Sequence, residues 1–194
     1  MNDKKTPENT LQNSAIMHGD IVRLRAISHH DLDMLRVWVN SESVRKGLNK
    51  IMPVTPEGHE MWFENLKTDK SKVGFAIEAI EDNRLAGAVF INEIDPYNRR
   101  AMITIFIGDE SERGKGYGGE AVKLAVRYGF NFLNLNRIGL LVAVDNTAAV
   151  RCYEGCGFKH EGILRSYFYF DSVYRDVVSM SVLRDEFEIG HNPI

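Results

Sequence analysis

Residues 112 to 119, Glu-Arg-Gly-Lys-Gly-Tyr-Gly-Gly, set a run of glycines between two patterned segments. Before them, Met102 to Ile107 reads as a buried strand. After them, Ala121, Leu124, Ala125, Tyr128 and Phe132 recur at the i, i+3/4, i+7 spacing of an amphipathic helix. Glycine lets the backbone turn tightly and approach a ligand closely. The unpaired N–H groups and positive dipole end of the helix start favour an anion by roughly 0.3 to 2 kcal/mol. The chemistry that fits is the holding of a pyrophosphate.

Phosphate-binding patterns are told apart by spacing. Gly114 to Gly119 satisfies G-x-G-x-x-G, with Asp145 as the ribose-binding acid of that reading, but a dinucleotide unit puts its first glycine directly after the strand and here Gly108 to Arg113 intervene. Walker A requires Ser or Thr after the lysine, and Lys115 is followed by Gly116. Arg113-Gly114-Lys115-Gly116-Tyr117-Gly118 resembles the Arg/Gln-x-x-Gly-x-Gly/Ala loop of the GNAT superfamily of N-acetyltransferases. Asn146 to Phe158 is similar to that family's Asn-x-x-Ala-x-x-x-Tyr-x-x-x-Gly-Phe block and follows a predicted strand, Arg137 to Val144. The two motifs stand in the family's order, and the resemblance covers residues from about 20 to 185.

The resemblance implies an α/β (α+β) fold with a mixed, mostly antiparallel sheet of about seven strands flanked by helices, and acetyl-CoA as cosubstrate. It assigns Arg113, Gly114, Lys115, Gly116, Tyr117 and Gly118 to the pyrophosphate. It places backbone amides around Phe106 and Ile107, at a bulge in a splayed strand, against the acetyl carbonyl and pantetheine. Asn146 is either a helix N-cap or a contact to the pantetheine arm, and Lys115, Arg151 or Lys159 meets the 3′-phosphate. Tyr153 falls where the family's tyrosine lies beside the CoA sulfur. Its phenol, with an ordinary pKa of about 10, is a proton donor for the leaving thiolate at neutral pH.

Acyl transfer to an amine also needs the amine deprotonated. An alkylammonium of pKa about 10.4 is neutral roughly once in a thousand molecules near pH 7.4, a deficit of about 4 kcal/mol. Glu93 is the first choice of base, with Asp95 and Glu78 as alternatives. The glutamate that many relatives carry early in the strand before the loop is missing, since that stretch reads Ala101-Met102-Ile103.

Residues 92 to 101 are similar to spermidine N-acetyltransferases, whereas Gly157 to Gly162 and Met180 to Arg184 are as similar to acetyltransferases of ribosomal-protein N-termini and of amino-sugar nucleotides. A small primary amine in a closed acidic pocket is the expected substrate. A protein N-terminus would need an open groove on the helical side. A CoA-binding scaffold without activity is the non-enzyme alternative, against which Tyr153 argues. The resemblance also suggests a homodimer paired through the final strands.

The rest of the chain must position these groups. With 194 residues and a formal net charge of −3, it suits one domain, 19–187, between tails 1–18 and 188–194, and gives no basic footprint for nucleic acid. Ile21 to Ile27 alternates as a strand, and Ser28 with Asp31 opens a helix through Val39 with Leu32, Leu35 and Trp38 inward. Pro53 and Pro56 bracket a turn before a helix marked by Met61, Trp62, Phe63 and Leu66, and the segment between these helices is a candidate for the substrate side. Strands follow at Val73–Ile80 (half exposed), Leu85–Ile91, Arg99–Ile107, Phe158–Phe170 and Tyr174–Leu183. Tyr167 to Phe170 read as strand packing. Cys152 and Cys156 read as reduced, partly buried thiols, and His29, His30, His59 and His160 as solvated or capping, so no metal is expected. No apolar run reaches the length of a membrane span, and Met1 to Asn13 lacks an apolar h-region, so a cytoplasmic enzyme is expected.

Overall fold

One sheet of eight strands organises the computed structural model, which describes residues 15–190. In chain order the strands are β1 (Ala15–His18), β2 (Val22–Ala26), β3 (Val73–Ala79), β4 (Leu85–Asp95), β5 (Arg100–Ile107), β6 (Arg137–Ala143), β7 (Lys159–Phe170) and β8 (Val173–Leu183). Their spatial order is β1-β2-β3-β4-β5-β6-β8-β7. Every neighbouring pair is antiparallel except β5 and β6. A parallel pair needs a crossover, and helix α4 (Tyr117–Asn131), with its apolar stripe, is that crossover.

Helices α1 (Leu32–Asn40), α2 (Glu42–Gly47) and α3 (Pro56–Thr68) cover one face. There Leu32, Leu35, Val39, Val44 and Phe63 pack on Ala76, Ala88 and Phe106. Helices α4 and α5 (Thr147–Glu154) cover the other, where Ala121, Leu124, Ala125 and Tyr153 join Val89, Ile91, Ile103 and Leu140. Helix α6 (Arg184–Gly190) closes the chain with Phe187 edge-on to Phe130 at 5.6 Å. Among the described residues no helix is long and apolar enough to cross a membrane.

Several expectations need correction. The sheet has one strand more than expected, because Ala15–His18 pairs with β2 instead of belonging to a tail; α6 likewise runs past residue 187. Residues 1–14 and 191–194, including the segment read for an h-region, lie outside the described residues. Strand β3 is buried, not half exposed, since its polar Glu78 is only 2% exposed. Phe132 lies just past α4 and is exposed, stacking on Tyr128 at 5.2 Å. His59 is buried, stacked on Trp62 at 4.9 Å, and burial holds its pKa below the ordinary value. Pro56 begins α3 behind the N-cap Thr55, whose hydroxyl accepts from the Gly58 amide at 3.1 Å. Strand β7 is solvent-facing, with Tyr167 and Tyr169 exposed instead of packed.

Strands β5 and β6 pair only where Arg100, Ala101 and Met102 meet Arg137, Ile138 and Gly139. Beyond that point β5 continues to Ile107 and β6 to Ala143 without pairing to each other. The sheet therefore splits on the side facing the glycine loop.

Candidate active site

The split opens a cleft of about 1330 Å³ lined by β5 from Met102 to Ile107, by Leu141 and Val142 of β6, and by the glycine loop and α5. Glu93, Phe106, Ile107, Arg113, Gly114, Gly116, Tyr117, Gly118, Asn146 and Tyr153, each singled out from sequence, all reach it. Lys115 does not line it; its ammonium lies 3.0 Å from the Glu112 carboxylate, which Arg84 also pairs at 3.1 Å. Tyr117 buries its ring in the core, so its amide faces the loop's task.

Gly114 and Gly116 have φ of +79° and +90°. These left-handed values aim successive amides into one concavity, and a side chain at either position would strain the loop. Gly116 is the N-cap of α4 and offers no side-chain acceptor, so the first-turn amides of Tyr117 and Gly118 remain available as donors. Arg113 crosses to α2, donating to Ser43 Oγ at 3.1 Å and to the Ile107 carbonyl at 3.4 Å.

The expected bulge in β5 is absent: its register with β4 is unbroken from Met102 to Ile107. The Gly108 amide donates to Ala86 O at 2.9 Å. Antiparallel alternation then turns the amides of Thr104 and Phe106 toward β4 and those of Ile105 and Ile107 toward the gap. The amides of Ile105 and Ile107 therefore open on the gap, while that of Phe106 is turned to β4. The extra residue sits in β4 instead, between Asn92 and Asp95, where Glu93 adopts φ +52°. Glu93, exposed at that bulge, is one of the residues lining the cleft.

The alternative bases lie elsewhere. Asp95 caps its turn, accepting from the amides of Tyr97 at 3.1 Å and Asn98 at 2.9 Å, and the Asn98 side chain is the main reason its pKa is lowered. Glu78 is bound by Arg23 and Arg25. Asn146 caps α5, accepting from the Ala149 amide at 3.3 Å while lining the cleft. Asp145 is exposed, 3.6 Å from Arg175. His29, Glu60 and Glu64 stand close enough to share a cation, but all three are exposed and Lys67 already pairs with Glu64 at 2.6 Å.

A family model for the acetyltransferase (GNAT) domain matches residues 22–159. The chain belongs to the GNAT acetyltransferase family. This GNAT protein is 38% identical over 165 residues to a spermidine N(1)-acetyltransferase of Vibrio cholerae, covering 84% of this chain and 94% of the relative. It is also similar to a crystal structure of the Vibrio cholerae spermidine N-acetyltransferase in complex with CoA and spermine (TM-score 0.82, 30% identity, 87% and 99% covered). A dodecameric structure of spermidine N-acetyltransferase from that organism matches at TM-score 0.75 and 30% identity, with 88% and 98% covered. As a GNAT enzyme the protein transfers acetyl from acetyl-CoA to an amine.

The residues fit that cosubstrate: uncapped helix amides at the glycine loop suit a pyrophosphate, and a split strand edge with free amides suits an extended arm. Tyr153 is 9% exposed, and its hydroxyl has no protein hydrogen-bond partner among the described residues, so it opens on the cleft. Burial first, then the neighbouring Cys152 and Cys156, push its phenol well above its ordinary value. It therefore stays protonated, as a donor to a departing thiolate must. The Cys156 thiol donates to Gly119 O at 3.3 Å; hydrogen bonding between the two thiols favours ionisation of Cys152 and disfavours that of Cys156.

Sequence reasoning also missed Glu120. Its carboxylate accepts from the amides of Asp20, Ile21 and Val22 at 2.7, 2.8 and 2.7 Å, pinning the β1–β2 turn beneath the phosphate loop, where Ile21 Cδ1 lies 3.1 Å from a side chain built at Gly116. The only signal was an acid in the first turn of a helix. Glu120→Ala releases the Asp20 and Ile21 amides to solvent and leaves that of buried Val22 unpaired, which should cost about 1–3 kcal/mol of stability, read as a lower denaturant midpoint. An unchanged midpoint would show the turn held by other contacts.

Proposed function

We propose that this GNAT enzyme acetylates a polyamine of the spermidine class in a ternary complex with acetyl-CoA. The observation that carries the reading is the continuity of one cleft from the glycine loop, past Tyr153, to Glu93. Of the carboxylates lining it, Glu112 is paired with cations and Glu120 with amides, which leaves Glu93 and Asp20 to meet an ammonium. The names of the relatives support the same substrate class.

Acetyl-CoA supplies an activated acyl thioester. Within the cleft the amides of Ile105 and Ile107 hold and polarise the acetyl carbonyl, Glu93 takes a proton from the ammonium so that the free amine attacks that carbonyl, and Tyr153 gives a proton to the sulfur as its bond to the acetyl carbon breaks. An oligomer is part of the proposal, following the dodecameric relative. So is a cytoplasmic setting, supported by two adjacent thiols left free.

The test is a CoA-thiol release assay across spermidine, spermine, amino sugars and N-terminal peptides. Turnover with polyamines well above the others is expected; preference for a peptide or an amino sugar would overturn the substrate class. Glu93→Gln should lower kcat/KM for the polyamine by about 10²-fold and remove the acid limb of its pH profile. A raised KM with unchanged kcat would make Glu93 a binding group only.

A further inference from the structure

Two thiols on the cleft wall have no part in acyl transfer. Cys152 and Cys156 stand i, i+4 across the end of α5, and both line the cleft. They face one point on α4: a side chain built at Gly119 would meet Cys152 Sγ at 3.7 Å and Cys156 Sγ at 3.9 Å. They are hydrogen-bonded to each other, and Cys156 Sγ lies 3.3 Å from Gly119 O. Cys156 is 2% exposed, whereas Cys152 is half-buried and open to the cleft. Hydrogen bonding from Cys156 lowers the Cys152 pKa against the opposing effect of burial, and the Lys123 charge adds to it. The thiolate is the reactive form of a cysteine. No metal site includes the pair: among the described residues the cluster that could hold an ion is His29, Glu60 and Glu64.

We propose that Cys152 and Cys156 form an oxidisable pair that reacts with low-molecular-weight disulfides, Cys152 attacking and Cys156 resolving, and that the disulfide so formed stops acetyl transfer. Cys152 gives its proton to water, and its thiolate attacks one sulfur of the external disulfide. That S–S bond breaks, and the first thiolate leaves and takes up a proton. Cys156 then loses its proton, attacks the Cys152 sulfur and displaces the second thiolate, which is protonated in turn. Two protein thiols are oxidised to one disulfide, and one external disulfide is reduced to two thiols. In a reducing compartment such a bond is transient, as a sensing disulfide must be.

On a helix, i, i+4 Cβ atoms stand about 5–6 Å apart, and a disulfide brings them to about 3.5–4.5 Å. The turn between the two cysteines must draw in. That turn carries Tyr153, whose carbonyl accepts from the amides of Cys156 and Phe158, each at 3.0 Å. Gly155 and Gly157, the latter at φ +91°, flank Cys156 and let the backbone give. Closure therefore moves the phenol, and a misplacement of about 1 Å costs on the order of 10²-fold in rate. The sulfurs need no cosubstrate to react; only the loss of activity rests on the acetyl-CoA reading.

Glutathione disulfide added to the full chain, followed by intact mass and CoA-thiol release rates, tests the pair. The mass should fall by two hydrogens, with the link inside the Cys152 to Lys159 peptide. The kcat should fall about 10- to 100-fold and return with dithiothreitol. Cys156→Ser should stop at a single glutathione adduct on Cys152, and Cys152→Ser should gain neither adduct nor disulfide. Acetyl-CoA, by covering the cleft wall, should slow the reaction. A folded chain that keeps both thiols free while its urea-unfolded form reacts would overturn the pair, as would an adduct forming first on Cys156. A disulfide that leaves kcat unchanged would overturn its inhibitory role. Oxidation as expected in a chain that releases no CoA thiol with any amine, reduced or oxidised, would support the thiol chemistry and remove the acetyl-CoA reading instead.

Discussion

Tyr153→Phe is expected to lower kcat by about 10²- to 10⁴-fold at saturating acetyl-CoA and amine, with both KM values little changed. The substitution removes one oxygen and keeps the ring that packs against Phe158 at 5.8 Å, so the fold should survive. The phenol's value lies in remaining protonated until a thiolate departs. Its pKa is raised above the ordinary 10.0, chiefly by burial. Neutral phenol is therefore present throughout the usual assay range, and an alkaline fall in kcat below pH 10 must come from another group. Steady-state rates with a CoA-thiol readout decide the matter. Unchanged turnover would assign the acid role elsewhere, and a large rise in KM alone would make the hydroxyl a binding contact.

Glu78→Gln should cost about 3–5 kcal/mol of stability, roughly 10 °C in Tm, with kcat of the surviving folded enzyme retained. Glu78 accepts from Arg23 Nε at 2.8 Å and Arg25 Nε at 2.5 Å, and Arg25 reaches Asp31 by two bonds of 2.8 Å. Burial alone would raise the Asp31 pKa, but Arg25 and the Ser28 amide outweigh it and hold the carboxyl below 3.8. Losing the central carboxylate leaves guanidinium charge in a nearly water-free layer between β2, β3 and α1. Replacing Arg23, Arg25, Glu78 and Asp31 together by apolar residues should be far milder, because no unpaired charge remains. The Asp31 contribution is complete above its ordinary value and lost as pH falls through the depressed one, so acid melts should begin there. A Glu78→Gln protein of unchanged Tm but no activity would instead revive it as the base.

The glycine loop and the Asn146 block were readable because their residue types are the mechanism: only glycine takes the φ values at 114 and 116 without strain, and Asn is a good cap. The crossover helix was readable from its apolar spacing. What stayed hidden depended on partners distant in sequence. Glu78 made β3 look half exposed because nothing in its own segment announces two arginines on the neighbouring strand. Helix α2 is six residues long, too short for a periodic signal. The β4 bulge is set by pairing with β5, and Glu93 has no local feature that foretells φ +52°. The direction of the Phe106 and Ile107 amides follows from ladder parity, which residue type does not encode.

The three-residue contact between β5 and β6 leaves the molecule with a seam. On the far side of it, β6, β8 and β7 hold together through their own pairings, so the two halves share few rungs there. Hydrogen–deuterium exchange should register this as a zigzag along β5: slow at Thr104 and Phe106, fast at Ile105 and Ile107. Adding CoA should then slow the fast pair, the nucleotide arm standing in for the missing neighbour strand and stitching the halves together.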